Sequence, residues 1–279
     1  MQLHAQEPAR QFVLPQVPDS LTAPQDRAAF LALHYWDNFD FSDTALTAMP
    51  EITEQAFVDF ISILPYTERA AEAIDTLVCR AAREREMLYH FITLGDKYLY
   101  EPNSPMHNEQ LHIMMLRSII GNPLIDDMDK IRPRHLLEIA MRNIPGSKAT
   151  DFEFTCRDGR RMRLSEICAE YTILYFNDPE CEECIRSKSQ LALSRIIGRL
   201  TESGKVKVVS VCVEGKSAAW EKASYPALWI DGYDEGQQLT LTQAYDLKAM
   251  PTLYLLGPEC KVILKDASPD SIEQWLSRL

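Results

Sequence analysis

Residues 175–188 read YFNDPECEECIRSK and hold two cysteines, Cys181 and Cys184, separated by two glutamates. An apolar run from Tyr171 to Phe176, rich in β-forming residues, ends immediately before them at Asn-Asp-Pro. Beyond the cysteines the apolar residues recur at helical spacing. The stretch therefore predicts two thiols at the point where a buried strand meets a helix, as in an α/β fold.

The composition of the whole chain limits its class. Its 279 residues exceed the roughly 100–200 of a typical domain, so we expect two domains. The net charge of −12 argues against a nucleic-acid partner, whose phosphates need a basic surface. The sequence contains no run of about 20 apolar residues, so no transmembrane segment is predicted. The first ten residues lack the apolar centre of a signal peptide, which is compatible with a mature form whose leader is gone.

Residues 24–145 carry the pattern of an all-α domain. Apolar residues recur at i, i+3, i+4 and i+7, and Pro or Gly separates the segments. We expect five or six helices between Pro24 and Ile144, after an extended segment at 1–23, with IPGSK (144–148) as the linker. Two of the periodic stripes are Phe57, Phe60, Ile61 and Leu64, and Ile74, Leu77, Val78 and Ala81.

Residues 146–279 change to alternating strands and helices. DFEFT and RMRLSE flank an Asp-Gly turn and predict a hairpin, and VKVVSVCV (206–213) predicts a second buried strand. PALWI (226–230) predicts another strand, and residues 252–256 and 261–265 predict a terminal hairpin. The pattern indicates a mixed β-sheet with flanking helices. The helix after the cysteines is expected to bury four residues, Leu193, Ile196, Ile197 and Leu200.

Seven cysteines leave at least one thiol unpaired. Cys79, on the apolar side of a helix, and Cys212, in a buried strand, are expected to be inert core residues. For Cys156, Cys168 and Cys260, which lie near turns or element ends, both simple packing and a disulfide between two of them remain open.

A Cys181–Cys184 pair could serve three kinds of chemistry: a zinc site, a Cys-His hydrolase or dithiol/disulfide exchange. A zinc site needs four ligands, but all six histidines precede the predicted linker and no second CxxC occurs, so we expect neither a metal nor another cofactor. The missing histidine also argues against a Cys-His hydrolase. Dithiol/disulfide exchange remains: the helix N-terminus favours the thiolate of Cys181, and Cys184 is close enough to attack a mixed disulfide. We therefore expect Cys181 to be exposed and Cys184 to be shielded.

Residues 149–279 resemble a thioredoxin-like domain of the TlpA/ResA family of envelope thiol-disulfide oxidoreductases. The opening hairpin, the strand followed by CEEC, and YDLKAMPTLYLL carry the resemblance. It implies protein disulfide substrates, a thiol reductant as partner and a periplasmic or other envelope location. It also implies a cis bond between Met250 and Pro251, with Pro251 beside the cysteines and the backbone of Met250 offered to substrate.

The chain departs from the thioredoxin pattern around the cysteines. Glu180 stands where thioredoxins usually have Trp, and Tyr175 occupies the buried position, six residues before the first cysteine, at which an acid would accept a proton. The residues between the cysteines, Glu182 and Glu183, should disfavour the thiolate of Cys181. We therefore expect a reductant, or at least a poor oxidant.

The first half resembles, through FVLPQVPDSL and HYWDNFDF (34–41), a helical domain of unknown function found before thioredoxin-like domains in envelope proteins of Gram-negative gut bacteria. That resemblance assigns no chemistry to it. Taken together, the sequence predicts a thiol-disulfide oxidoreductase. The alternative is a non-catalytic binding scaffold with an inert CxxC.

Overall fold

The structure is a computed structural model that describes residues 11–167 and 169–279. The chain divides between Leu137 and Glu138 into two compact units. Helices make up the first unit, whereas the second contains a seven-stranded mixed sheet with flanking helices. The predicted fold class, a helical domain followed by a thioredoxin-like mixed sheet, is confirmed.

Six α-helices precede the first strand in the part of the chain that the structure describes, as predicted. They are α1 (Pro24–His34), α2 (Thr53–Ile63), α3 (Ala70–Ala81), α4 (Arg85–Gly95), α5 (Glu109–Gly121) and α6 (Ile131–Ala140). Short 3₁₀ turns occur at Thr44–Ala48 and Leu64–Tyr66, and a π-helical turn, Asp96–Tyr100, follows α4. Both predicted apolar stripes, on α2 and α3, are buried.

The core of the helical unit is built around Trp36, which is 1% exposed. Six aromatic rings lie within 6.0 Å of its ring centroid, namely Phe12, Tyr35, Phe39, Phe41, Phe60 and Phe91. Most of these pairs meet edge to face, the arrangement that the charge distribution of aromatic rings favours. The aromatic side chains of HYWDNFDF therefore pack in the core, whereas its Asp and Asn side chains are exposed.

The sheet of the second unit has the strand order β2-β1-β5-β4-β3-β6-β7. Its strands are β1 (Glu153–Cys156), β2 (Arg161–Arg163), β3 (Tyr171–Asn177), β4 (Val206–Cys212), β5 (Ile230–Tyr233), β6 (Thr252–Leu256) and β7 (Val262–Leu264). β3 pairs in parallel with β4 and antiparallel with β6. The predicted hairpins β1–β2 and β6–β7 are both present.

Helices cover both faces of this sheet. They are α7 (Leu164–Ile167), α8 (Glu182–Leu193), α9 (Arg195–Glu202), α10 (Ala218–Lys222), α11 (Gln238–Thr242) and α12 (Pro269–Leu276). Side chains of β3 alternate between two apolar cores: Leu174 and Phe176 pack in one, and Ile173 and Tyr175 in the other. A strand covered on both faces reads as a continuous apolar run, which is why β3 was recognisable in the sequence.

Two predicted elements differ from the structure. The single helix expected after the cysteines is two helices, because Ser194 leaves the helical conformation and its hydroxyl accepts the Ile197 N–H at 3.2 Å. Leu193, expected in the core, is therefore 82% exposed, whereas Ile197 and Leu200 are buried as predicted. The strand expected at 226–230 begins only at Ile230, after a turn in which the Trp229 N–H donates to the Pro226 carbonyl.

The segment between α6 and β1 is hydrogen-bonded to the rest of the second unit. The Gly146 N–H donates to the Val262 carbonyl at 2.8 Å. Asn143 is buried with φ at 51°; its side chain donates to the Ala244 carbonyl and accepts the Thr150 N–H. Part of the predicted linker thus lies against the sheet. We propose that the second unit folds on its own.

We expect a fragment of residues 138–279 to be more stable than one of residues 147–279. The shorter fragment loses both Asn143 hydrogen bonds, the one from Gly146 and those that Arg142 donates to the Thr242 and Gln243 carbonyls, at about 1 kcal/mol for each net hydrogen bond. Urea unfolding followed by circular dichroism should show a lower midpoint for the shorter fragment. Asn143→Gly in the longer fragment removes only the side-chain bonds and tolerates the backbone angle, so its midpoint should lie between the two. Equal midpoints would show that these contacts add nothing.

Candidate active site

The two cysteines follow the end of β3, the central strand. A tight turn joins strand to helix: the Asp178 carboxylate accepts the Glu180 N–H at 2.9 Å, and the Asp178 carbonyl accepts the Cys181 N–H at 3.2 Å. Cys181 has an extended backbone and is the N-cap of α8. The strand-to-helix junction predicted for these residues is therefore present.

The thiol of Cys181 is partly exposed. Its sulfur accepts the N–H of Cys184 at 3.3 Å, as an N-cap side chain does. The thiol also donates to the Met250 carbonyl, with a sulfur-to-oxygen distance of 3.5 Å. The Cys184 N–H and the N-terminus of α8 therefore direct partial positive charge at the Cys181 sulfur.

Cys184 is the shielded member of the pair, at 1% exposed. Its sulfur lies 3.5 Å from the Asp178 N–H, which donates to it. Burial raises the pKa of the Cys184 thiol well above its usual value, so this thiol keeps its proton at neutral pH. The predicted difference in exposure between the two cysteines is confirmed, and both are free thiols in the structure.

Tyr175 occupies the buried position at which an acidic side chain would accept a proton. It is 1% exposed, and its hydroxyl donates to the Cys184 carbonyl at 2.7 Å. Burial also raises the pKa of Tyr175, so the phenol remains protonated. This side chain therefore holds the first turn of α8 against the strand and is no proton acceptor at neutral pH.

The Met250–Pro251 peptide bond is cis, which confirms the prediction made from YDLKAMPTLYLL. It immediately precedes β6, and β6 pairs with β3, so the bond lies beside the end of β3 that leads to the cysteines. Met250 packs in the same apolar cluster as Cys181 and Cys184. The structure thus brings together Cys181, Cys184 and Met250.

The two glutamates of the CEEC sequence are both exposed. Glu183 forms an ion pair with Arg186 one turn along the helix. Glu182 forms no ion pair with any residue that the structure describes, but Arg186 lies close enough to interact with its charge. Carboxylates in the first turn of a helix interact favourably with the helix dipole.

Comparison with known proteins identifies relatives of both halves of the chain. A family model described as a domain of unknown function, DUF5106, matches residues 2–143. A thioredoxin-like protein from Bacteroides caccae ATCC 43185 has a crystal structure that is 39% identical to the chain, covers 96% of this chain and 99% of its own, and superposes with a TM-score of 0.90. The chain belongs to the DUF5106 family. Its second unit has a thioredoxin-like fold, so the predicted thioredoxin-like domain and the domain of unknown function before it are both confirmed.

Other solved structures cover only the second unit of this DUF5106 protein. The C-terminal domain of an uncharacterized protein from Bacteroides fragilis NCTC 9343 is 36% identical over 48% of this chain and 98% of that chain, with a TM-score of 0.47. A thiol:disulfide interchange protein from Bacteroides sp. is 18% identical over 49% and 90%, with a TM-score of 0.43. No curated protein matches the chain.

The other cysteines of the DUF5106 protein do not join the pair. Cys79 was expected in the core but is exposed, because it follows Val78 by one residue and so turns about 100° out of the apolar stripe of α3. Cys212 is fully buried as predicted, and burial raises its pKa to about 11. Cys156 is buried and free, and Cys260 is disulfide-bonded. Cys168 lies outside the described residues.

The sequence analysis missed the polar residues that support the site at the end of β3. Asn177 is buried, and its amide donates to the Ser210 hydroxyl at 3.0 Å and to the Val211 carbonyl at 3.2 Å. Its carbonyl oxygen accepts the Tyr225 hydroxyl at 2.8 Å. No local pattern links Tyr225 to Asn177, 48 residues earlier, so only the fold reveals their contact.

Neither a metal cluster nor a membrane span is found among residues 11–167 and 169–279. They contain no group of three or more His, Cys, Asp or Glu side chains that could hold a metal ion. None of their helices combines the length and the apolar character needed to cross a bilayer.

Proposed function

We propose that the protein is a thiol-disulfide oxidoreductase in which Cys181 is the nucleophile and Cys184 the resolving thiol. The observation that carries this proposal is the unequal placement of two free thiols in one helix turn. Cys181 is partly exposed at the helix N-terminus, whereas Cys184, three residues later, is 1% exposed. Exchange through a mixed disulfide requires such an outer and an inner thiol.

In the first step, the Cys181 thiolate attacks one sulfur of a substrate disulfide. The substrate S–S bond breaks, a mixed disulfide forms between Cys181 and that sulfur, and the other substrate sulfur leaves as a thiolate that takes up a proton. The Cys184 N–H, 3.3 Å from the Cys181 sulfur, stabilises the attacking anion. Met250 and Pro251, beside Cys181, would bind the substrate backbone during this step.

The second step uses the inner thiol. Cys184 loses its proton to solvent and attacks the Cys181 sulfur; the mixed disulfide breaks, and the second substrate sulfur leaves and is protonated. Two electrons and two protons pass to the substrate, and the protein is left with a Cys181–Cys184 disulfide. A thiol reductant restores the dithiol by the same exchange in reverse.

The proposed substrates are disulfides of envelope proteins, which the protein reduces or isomerises, and the proposed compartment is the periplasm or another oxidising envelope space. Cys260, at the end of the turn before β7, is disulfide-bonded. Because reducing cytosol removes structural disulfides and oxidising compartments keep them, this bond supports an envelope location.

The direct test of this function is turnover. With dithiothreitol as reductant, the full chain should accelerate reduction of a protein disulfide, since dithiothreitol can regenerate the dithiol after each cycle. A variant with both Cys181→Ser and Cys184→Ser should give only the uncatalysed rate. Cys79→Ser, which removes an exposed thiol outside the pair, is the matched control and should retain full activity. If the wild-type chain is no faster than the double variant, the CxxC is inert and a binding scaffold is the better account.

The glutamates should set the redox potential. Glu182 and Glu183 disfavour the Cys181 thiolate and so raise the free energy of the reduced form, which makes the couple more reducing. Glu182→Gln should shift the potential towards more oxidising values by about 10–20 mV. Glu183→Gln should shift it less, because Arg186 already offsets that charge. Equilibration against glutathione or dithiothreitol buffers measures both.

The control for this measurement is Glu202→Gln, since Glu202 ends α9, away from the cysteines in the chain. It should leave the potential unchanged. A Glu182→Gln potential that is unchanged or more negative would mean that the CEEC glutamates are simply solvated surface.

A further inference from the structure

A segment of the second unit, residues 224–229, lies along the helix face that begins at Cys181. Cys181, Ile185 and Lys188 occupy positions i, i+4 and i+7 of α8 and so share one face. The Lys188 ammonium donates to the Ser224 carbonyl at 3.1 Å and lies 4.9 Å from the centroid of the Tyr225 ring. Segment 224–229 therefore forms a wall beside the partly exposed thiol.

This wall is held in place by the central strand. The Tyr225 hydroxyl donates to the buried Asn177 side chain at 2.8 Å, and Asn177 is the last residue of β3. At the other end of the segment, the Trp229 ring meets the Tyr175 ring edge to face at 6.2 Å. Tyr175 in turn bonds the Cys184 carbonyl. Both ends of the wall are thus fixed to the residues that position the dithiol.

The surface that the wall presents near Cys181 is apolar. Tyr225, Trp229 and Met250 pack in the same cluster as Cys181. Two large apolar side chains remain open to solvent on these elements: Ile185 is 46% exposed and Leu228 is 60% exposed. An apolar side chain next to the target cysteine would cover them, at a gain of about 25 cal/mol per Å² of apolar surface buried.

The exposed side chains next to Cys181 in the chain are negative, whereas the cation on this helix face, Lys188, is held by the Ser224 carbonyl and the Tyr225 ring. Glu180 and Glu182 flank Cys181 in the chain, are exposed, and form no ion pair with any described residue of the chain. The whole protein carries a net charge of −12, which steers cationic ligands and repels anionic ones. A peptide that combines an apolar residue with a positive one would complement this surface.

We propose that the groove between Met250 and segment 224–229 binds an extended polypeptide whose reactive cysteine is flanked by an aliphatic or aromatic residue and by Lys or Arg. This inference rests on the proposed function, because Cys181 must attack the cysteine held there. It makes Leu228, Glu180 and Glu182 determinants of specificity. Small anionic disulfides such as oxidised glutathione should be poor substrates.

The test uses three disulfide-linked fluorogenic peptides. In each, the cysteine is flanked by Leu and by one variable residue, which is Lys, Gln or Glu. Their kcat/KM values are measured with the full chain and dithiothreitol at low salt. We expect the Lys peptide to exceed the Glu peptide about fivefold, the effect of one or two partly screened charge pairs. In 0.5 M NaCl the ratio should fall towards 1, because salt screens exposed charges.

Variants test whether Glu180, Glu182 and Leu228 cause these peptide preferences. Glu180→Gln with Glu182→Gln should bring the Lys-to-Glu ratio close to 1, whatever it does to absolute rates. Glu170→Gln with Glu202→Gln removes the same charge at the opposite ends of β3 and β4 and should leave the ratio unchanged. Leu228→Ser should lower the preference for a peptide with Leu over a matched peptide with Ser.

The outcomes separate this inference from the proposed function. If the Gln peptide is reduced but the Lys and Glu peptides react equally, the enzyme stands and the substrate class is wrong. A preference for the Lys peptide over the Glu peptide that persists in the Glu180→Gln, Glu182→Gln variant likewise overturns the proposed substrate class. If no peptide is reduced, the proposed function fails and the inference fails with it.

Discussion

The hydroxyl of Tyr175 donates a hydrogen bond of 2.7 Å to the Cys184 carbonyl, and the arrangement of the dithiol depends on it. Tyr175 itself cannot move easily, because β3 is hydrogen-bonded to β4 on one side and to β6 on the other. The bond therefore fixes the first turn of α8 on a strand that is paired on both sides. Cys184 is held in the core as a result, and Cys181 is left at the helix start, facing the Met250 carbonyl.

The negative charge in this turn has two opposing effects. Glu182 and Glu183 stabilise α8, because carboxylates at a helix N-terminus interact favourably with its dipole. Under the proposed function, the same charges oppose a thiolate at Cys181, which competes for the same positive end of the helix. We therefore expect the dithiol to donate electrons more readily than it accepts them. The two glutamates would then link helix stability to reducing character.

Much of this could be predicted because it is local. The apolar run of β3, the hairpin turns and the strand-to-helix position of the cysteines each depend on a few neighbouring residues. Cys79 and Leu193 were placed wrongly because helical periodicity does not show how wide a buried stripe is, or that Ser194 ends one helix and caps the next. The Tyr225–Asn177 contact joins residues 48 positions apart, so only the folded sheet brings them together.

The central claim is that Cys181 attacks substrate and Cys184 resolves the product. Trapping of the mixed disulfide tests it most directly: Cys184→Ser and Cys181→Ser are each incubated with a disulfide-bonded protein, and products are separated without reductant and mapped by mass spectrometry. The account predicts a covalent complex through Cys181 in the Cys184→Ser variant and none in the Cys181→Ser variant. A complex formed only through Cys184, or no complex with either variant, would contradict it.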